Sequence, residues 1–197
     1  MSEAFTCFQP APQRFKQHVQ LFGSGSIMPS VLKAQAMLAG QFQVSADVWS
    51  ATSYQQLRDE ALCADRYNRL HPEAAPRLSY VVQMLDGIQG PIIAATDYMK
   101  MVPDMIRPWV KQRFVALGTD GFGRSDTREA LRRHFEVDAE NICVATLYAL
   151  CQEGTIPASE VSRAIRVLGL DPDKLDPLHP QITRRQASQL EVEVRAQ

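Results

Sequence analysis

Apolar residues along this chain fall into two alternating patterns. Short, nearly unbroken runs occur at His18–Phe22, Ala46–Ser50 with Val44 just before it, Pro91–Thr96 and Phe114–Leu117. Runs of this length, apolar on both faces, suit strands buried inside a parallel sheet. Between them lie stretches with helical spacing. Pro29 fits an early helical position, where its missing amide proton costs nothing, and that helix is expected to stop at Gly40. Ser53 and Gln56 have capping-box spacing, which predicts a helix from Tyr54 to about Tyr67. Leu78, Val81, Val82 and Leu85 recur at i, i+3, i+4 and i+7.

Thr96 or Asp97 is placed to cap a further helix carrying Tyr98, Met101, Met105 and Trp109 on one face, with Pro103 and Pro108 interrupting it. Asp126 and Glu129 give a second capping box. Asp138 opens a helix through Ile142, Ala145, Leu147 and Leu150. Pro157 opens a last one with Val161, Ala164, Ile165 and Leu168 inward.

Strand and helix alternate almost strictly. The expected fold is therefore α/β, a three-layer α/β/α sandwich around a four- or five-stranded, mostly parallel sheet. Residues 1–17, with Pro10 and Pro12, read as an irregular N-terminal arm. The domain would span 18–178, and 179–197 would form a polar, mobile tail.

Composition narrows the function classes. With 45% hydrophobic and 22% charged residues the chain reads as an ordinary globular domain. A net charge of -1 provides no field for nucleic acid or an anionic membrane, and no apolar run approaches the ~20 residues of a spanning helix. The first residues lack the apolar core of a secretory signal, so the expected location is cytoplasmic. Cys7, Cys63, Cys143 and Cys151 are scattered and expected to be reduced.

Two loops attract chemical interest. Gly23-Ser24-Gly25-Ser26 lies between strand and helix, but its spacing is neither a dinucleotide fingerprint nor a P-loop, and a tight turn accounts for it. Asp120-Gly121-Phe122-Gly123-Arg124-Ser125-Asp126 follows another strand and gathers two acids and an arginine. Calcium-loop spacing is absent. Three readings stay open: an interface where Arg124 and Asp120 pair across a boundary, a structural turn, and direct catalysis. Arg128 and Arg132 share a helix face, interleaved with acids, and read as a solvated or partner-facing surface. No zinc-ligand spacing and no nucleophile elbow is present.

Four blocks carry a resemblance: LFGSGSIMPSV, VWSATSYQQLRDEA, ATDYMKMVPDMIRPWV and LGTDGFGRSDTREALRRHFEVD. Together they make His18 to Pro177 similar to the C-terminal domain of the homodimeric-type pyruvate dehydrogenase decarboxylating component, in the thiamin-diphosphate-dependent transketolase superfamily. The resemblance implies oxidative decarboxylation of pyruvate and acetyl transfer to lipoyl groups by the full enzyme, using thiamin diphosphate and magnesium. The family's GDG motif, its paired asparagines and its activating glutamate have no counterparts here, so no catalytic or cofactor-binding residue can be assigned.

The resemblance implies instead that Asp120, Gly121, Phe122, Gly123, Arg124, Ser125 and Asp126 face a neighbouring domain or the active-site entrance, with Asp97 and Tyr98 at the same edge. Expected partners are the N-terminal and middle domains, in a homodimer or hetero-oligomer, with a lipoyl-bearing acyltransferase beyond them. The alternative is a non-catalytic, stand-alone interaction module or truncated relic of that enzyme.

Overall fold

A computed structural model describes residues 4–178; the tail expected over 179–197 lies outside the described residues. Five strands form one sheet in the order β1-β3-β2-β4-β5. They are β1 (Phe5–Gln9), β2 (Gln17–Ser24), β3 (Val44–Ala51), β4 (Ile92–Thr96) and β5 (Phe114–Leu117). β2 pairs in parallel with both β3 and β4, and β4 with β5; only β1 runs antiparallel, along β3.

The side chains alternate between two cores, which is why the central strands look apolar throughout. Val19, Leu21, Val48, Ile93 and Ala95 face one side. There they meet α1 (Met28–Phe42), α6 (Ala139–Gln152) and α7 (Ala158–Val167). Phe22, Trp49, Ile92, Ala94 and Phe114 face the other, toward α2 (Tyr54–Leu70), α3 (Tyr80–Met84) and α4 (Met101–Asp104). The layers are therefore helix, sheet and helix, as expected. The largest buried polar side chain on these strands is Gln20, which accepts from Trp49 Nε1 at 2.7 Å and donates to Gln89 O at 3.1 Å, so its burial is satisfied.

Four local expectations change. The N-terminal arm is not irregular at residues 5–9. Phe5 is fully buried, stacked on Trp49 at 5.0 Å and edge-on to Phe22 at 4.8 Å, so burial of one ring draws the arm onto the sheet edge. Helix α1 does not stop at Gly40; Gln43 takes the left-handed conformation (φ 53°), and its amide donates to Leu38 O. The helix expected after Asp97 is reduced to α4 and a short turn at Arg107–Trp109, because Pro103 and Pro108 cannot donate backbone hydrogen bonds. Finally, α5 (Arg128–His134) is capped by Thr127, whose hydroxyl accepts from Ala130 N at 3.3 Å. Asp126 sits one residue too early and accepts from Thr127 N instead.

Ser53 caps α2 as expected, and Asp138, expected to open α6, is its N-cap; each accepts the amide three residues on. Among the described residues no helix is long and apolar enough to cross a membrane.

Candidate functional site

After β2 the chain passes to β3 on one side, then returns to β4 on the other. The crevice beyond the carboxyl ends of β2 and β4 is thus the topological switch point, the usual ligand-binding position in open α/β sheets. Three chain segments converge there. β2 ends at Ser24 and turns through Gly25 (φ +63°) to Ser26. β4 ends at Thr96, followed by Asp97. Helix α5 contributes Arg132.

The three are tied together. Ser26 Oγ donates to Asp97 Oδ2. Arg132 Nη2 donates to Ser26 O at 2.5 Å and to Asp97 Oδ2 at 3.2 Å, while its Nη1 reaches Ser30 Oγ at 3.3 Å. The Arg132 side chain is only 13% exposed. Its expected place on a solvated face is therefore corrected: the helix turns that side chain inward, where Asp97 and a backbone carbonyl take its Nη2 while Nε is left buried without a partner.

A second set of bonds joins the 97–101 and 118–121 segments. Thr119 donates through its amide to Tyr98 O at 2.9 Å and through its hydroxyl to Asp97 O at 2.8 Å. Asp120 accepts from Lys100 N at 3.0 Å and faces Lys100 Nζ at 3.8 Å. The segments approach so closely that a Cβ on Gly118 would lie 2.5 Å from Tyr98 O and 2.7 Å from Lys100 N, which explains glycine there. Gly121 has φ +105°, so it supplies the turn beyond Asp120.

The nine residues singled out from sequence separate into two groups. Asp97 and Asp120 point into the intrachain bonds just described. Tyr98, Gly121, Phe122, Gly123, Arg124, Ser125 and Asp126 are exposed and form an outward rim. Asp120 and Arg124 are not brought together within the chain: Lys100 engages Asp120. The rim also carries apolar surface, with Phe122 83%, Met101 70%, Tyr98 62% and Met99 54% exposed.

Inside the rim lies an open hollow of about 590 Å³, bounded by Ser26, Asp97, Arg124, Arg128, Leu131 and Phe135 among others. Nearby, His134 is held below its usual pKa by burial first, then by the charges of Arg124 and Lys174, against the opposing pull of Glu136. Sequence reasoning read Ser26 as part of a tight turn and Arg132 as part of a solvated or partner-facing surface, and did not join either to Asp97. Neither has a local signal, because their partner Asp97 is 71 and 35 residues away respectively.

These residues do not fit magnesium-bound thiamin diphosphate. Among the described residues no group of three or more His, Cys, Asp or Glu side chains could hold a metal ion, and Asp97 is already engaged by Ser26 and Arg132.

Residues 8–138, from the end of β1 to the N-cap of α6, match the family model for the transketolase-like TK C-terminal domain. The chain belongs to this family. Its curated relatives include the "Pyruvate dehydrogenase E1 component" of Pseudomonas aeruginosa, 48% identical over 162 residues. The proteins of the same description from Haemophilus influenzae and Mycolicibacterium smegmatis are 47% and 42% identical over 165 and 164 residues. The matches cover 82%, 83% and 83% of this chain but only 18% of each relative. This transketolase-like C-terminal domain is thus homologous to the C-terminal region of bacterial pyruvate dehydrogenase E1 components, and it spans under a fifth of their length. A solved structure described as "Split gene transketolase, inactive beta4 tetramer" is similar with a TM-score of 0.49 and 16% identity, over 75% of this chain and 42% of that one.

Proposed function

We propose that this chain serves as the C-terminal, non-catalytic domain of a cytoplasmic pyruvate dehydrogenase decarboxylating component. In this reading it acts with N-terminal and middle domains that hold thiamin diphosphate and magnesium, and the assembled enzyme transfers acetyl groups to a lipoyl-bearing acyltransferase. Its own contribution is a docking surface at the carboxyl edge of the sheet, within a homodimer or hetero-oligomer. The observation that carries the reading is the rim of Tyr98, Met99, Met101 and Phe122, four large apolar side chains more than half exposed along one edge. Several large apolar side chains exposed at one edge of a sheet suit an interaction surface. The occupant follows from the homology: relatives that share this domain are more than five times longer than the shared region, so the same edge has further domains to meet.

Arg124 and Asp126 sit beside the apolar rim as exposed charges, the usual arrangement of a polar border around a docking core. Arg124 can make a bidentate contact with a partner carboxylate. The test is copurification of this chain with N-terminal and middle domains from a homologous E1 component. Phe122→Ser with Met101→Ser should abolish capture, and Arg124→Ala should weaken it by about tenfold without a comparable fall in melting temperature. Capture that is equal for parent and variants rules out this edge as the docking surface. Thiamin-diphosphate-dependent pyruvate turnover by the purified chain alone rules out the non-catalytic role.

A further inference from the structure

The hollow inside the rim is not accounted for by docking of the apolar edge. Its floor is the closed Ser26–Asp97–Arg132 set, in which Asp97 is neutralised by Arg132. Above that floor stand Arg124 and Arg128. Both are exposed, and neither side chain makes a hydrogen bond or ion pair with another described residue. Asp126 also lines the hollow, but its carboxylate accepts from Thr127 N and lies in no ion pair with either arginine. Leu131 and Phe135 add apolar lining on the same face of α5 as Arg128, at i+3 and i+7 from it. At about 590 Å³ the space falls in the range of ~300–1,000 Å³ typical of small-molecule sites. It also lies at the switch point, where an open α/β sheet presents its loops to ligands.

We propose that this hollow binds a small phosphate monoester carrying a flat apolar body. The phosphate is held by the guanidinium forks of Arg124 and Arg128, and the flat body packs on Leu131 and Phe135. Two planar forks without a protein acceptor suit a phosphate, whose oxygens accept bidentate hydrogen bonds. A carboxylate offers fewer acceptor oxygens and less charge to the same pair. The apolar lining selects a phosphate that carries a ring over the bare ion.

Phenyl phosphate is the probe, titrated calorimetrically and by amide-shift NMR into the purified chain at fixed ionic strength. Inorganic phosphate, benzoate and phenol serve as comparison arms. Phenyl phosphate should saturate, bind at least about fivefold tighter than inorganic phosphate or benzoate, and shift amides of 24–26 and 119–135. Arg124→Gln with Arg128→Gln should weaken it at least about tenfold. Arg163→Gln, the same charge change on α7, should leave it unaltered. The proposal is overturned by an absence of saturation, by equal affinity for benzoate, or by equal losses in the Arg163 and rim variants. Because every arm uses this chain alone, the result is independent of whether the rim docks other domains.

Discussion

Cys143 shows how strongly one position is set by its surroundings. Its thiol is buried between α6 and α1, with Sγ 3.6 Å from Ala34 O. Burial pushes its pKa up to about 12; Glu140 and Asp138 add to the rise and Lys33 opposes it. Cys7, exposed like Cys63 on α2, has its pKa raised too, by partial desolvation and then by Asp47. A thiol reagent at pH 8 should therefore modify Cys63 first, Cys7 more slowly, and Cys143 only on unfolding. The alkaline limb of stability follows with its sign. A raised thiol pKa leaves stability intact below the unfolded-state pKa near 9 and removes it as pH climbs toward 12, because the unfolded chain ionises first. Cys143→Ala should flatten that decline in a pH series of melting temperatures; an unchanged slope would show that other groups cause it. That Cys143 sits inside a helix was legible from sequence. The cap at Thr127 was not, since Asp126 and Thr127 are both good capping residues and only the chain's exit from the 120–126 turn decides between them.

At the scale of elements, the four parallel strands were legible because burial on both faces leaves continuous apolar runs. Their ends were less so: β2 and β3 each extend beyond the apolar run into polar residues that the ladder still pairs. Strand β1 was hidden. Of Phe5–Gln9 only Phe5 is buried, so the segment has one apolar anchor and none of the alternation of a half-buried strand. Its pairing with β3 joins residues 39 to 46 apart and rests on the aromatic cluster with Phe22 and Trp49. Phe5→Ala should accordingly cost roughly 3–5 kcal/mol. Phe8→Ala, three residues on and 58% exposed, should stay within about 0.5 kcal/mol. Urea unfolding of the two variants measures the contrast. Equal stability would mean that β1 merely rests against the sheet. The 97–110 segment failed in the opposite sense: helical spacing of Tyr98, Met101, Met105 and Trp109 suggested one continuous helix face. The prolines shorten the helix, and two of those side chains stay at the surface.

For the molecule as a whole, the apolar pattern separates two cores but cannot show what closes the sheet's carboxyl edge. That role falls to Arg132, which spans the β2–α1 turn, the end of β4 and α5 with one side chain. A guanidinium in this position is more than packing: it offsets Asp97, whose carboxylate is itself partly enclosed, and it holds α5 against the turn that precedes α1. Arg132→Met keeps the aliphatic stem and removes the fork. It should cost about 1.5–3 kcal/mol, the range for hydrogen bonds to charged groups, reduced toward the lower end because Asp97 remains 30% exposed. Asp97→Asn alone should cost less, and the double variant should fall short of the sum, since either change already breaks the pair. Hydrogen exchange locates the effect. Amides of 24–27 and of α5 should exchange faster in Arg132→Met while those of β2 and β3 keep their protection, because the clamp orders the edge and leaves the ladder to the two cores. Faster exchange throughout the sheet would instead make Arg132 a determinant of the global fold. Additive losses in the cycle would show that the Arg132–Asp97 contact does not couple α5 to β4.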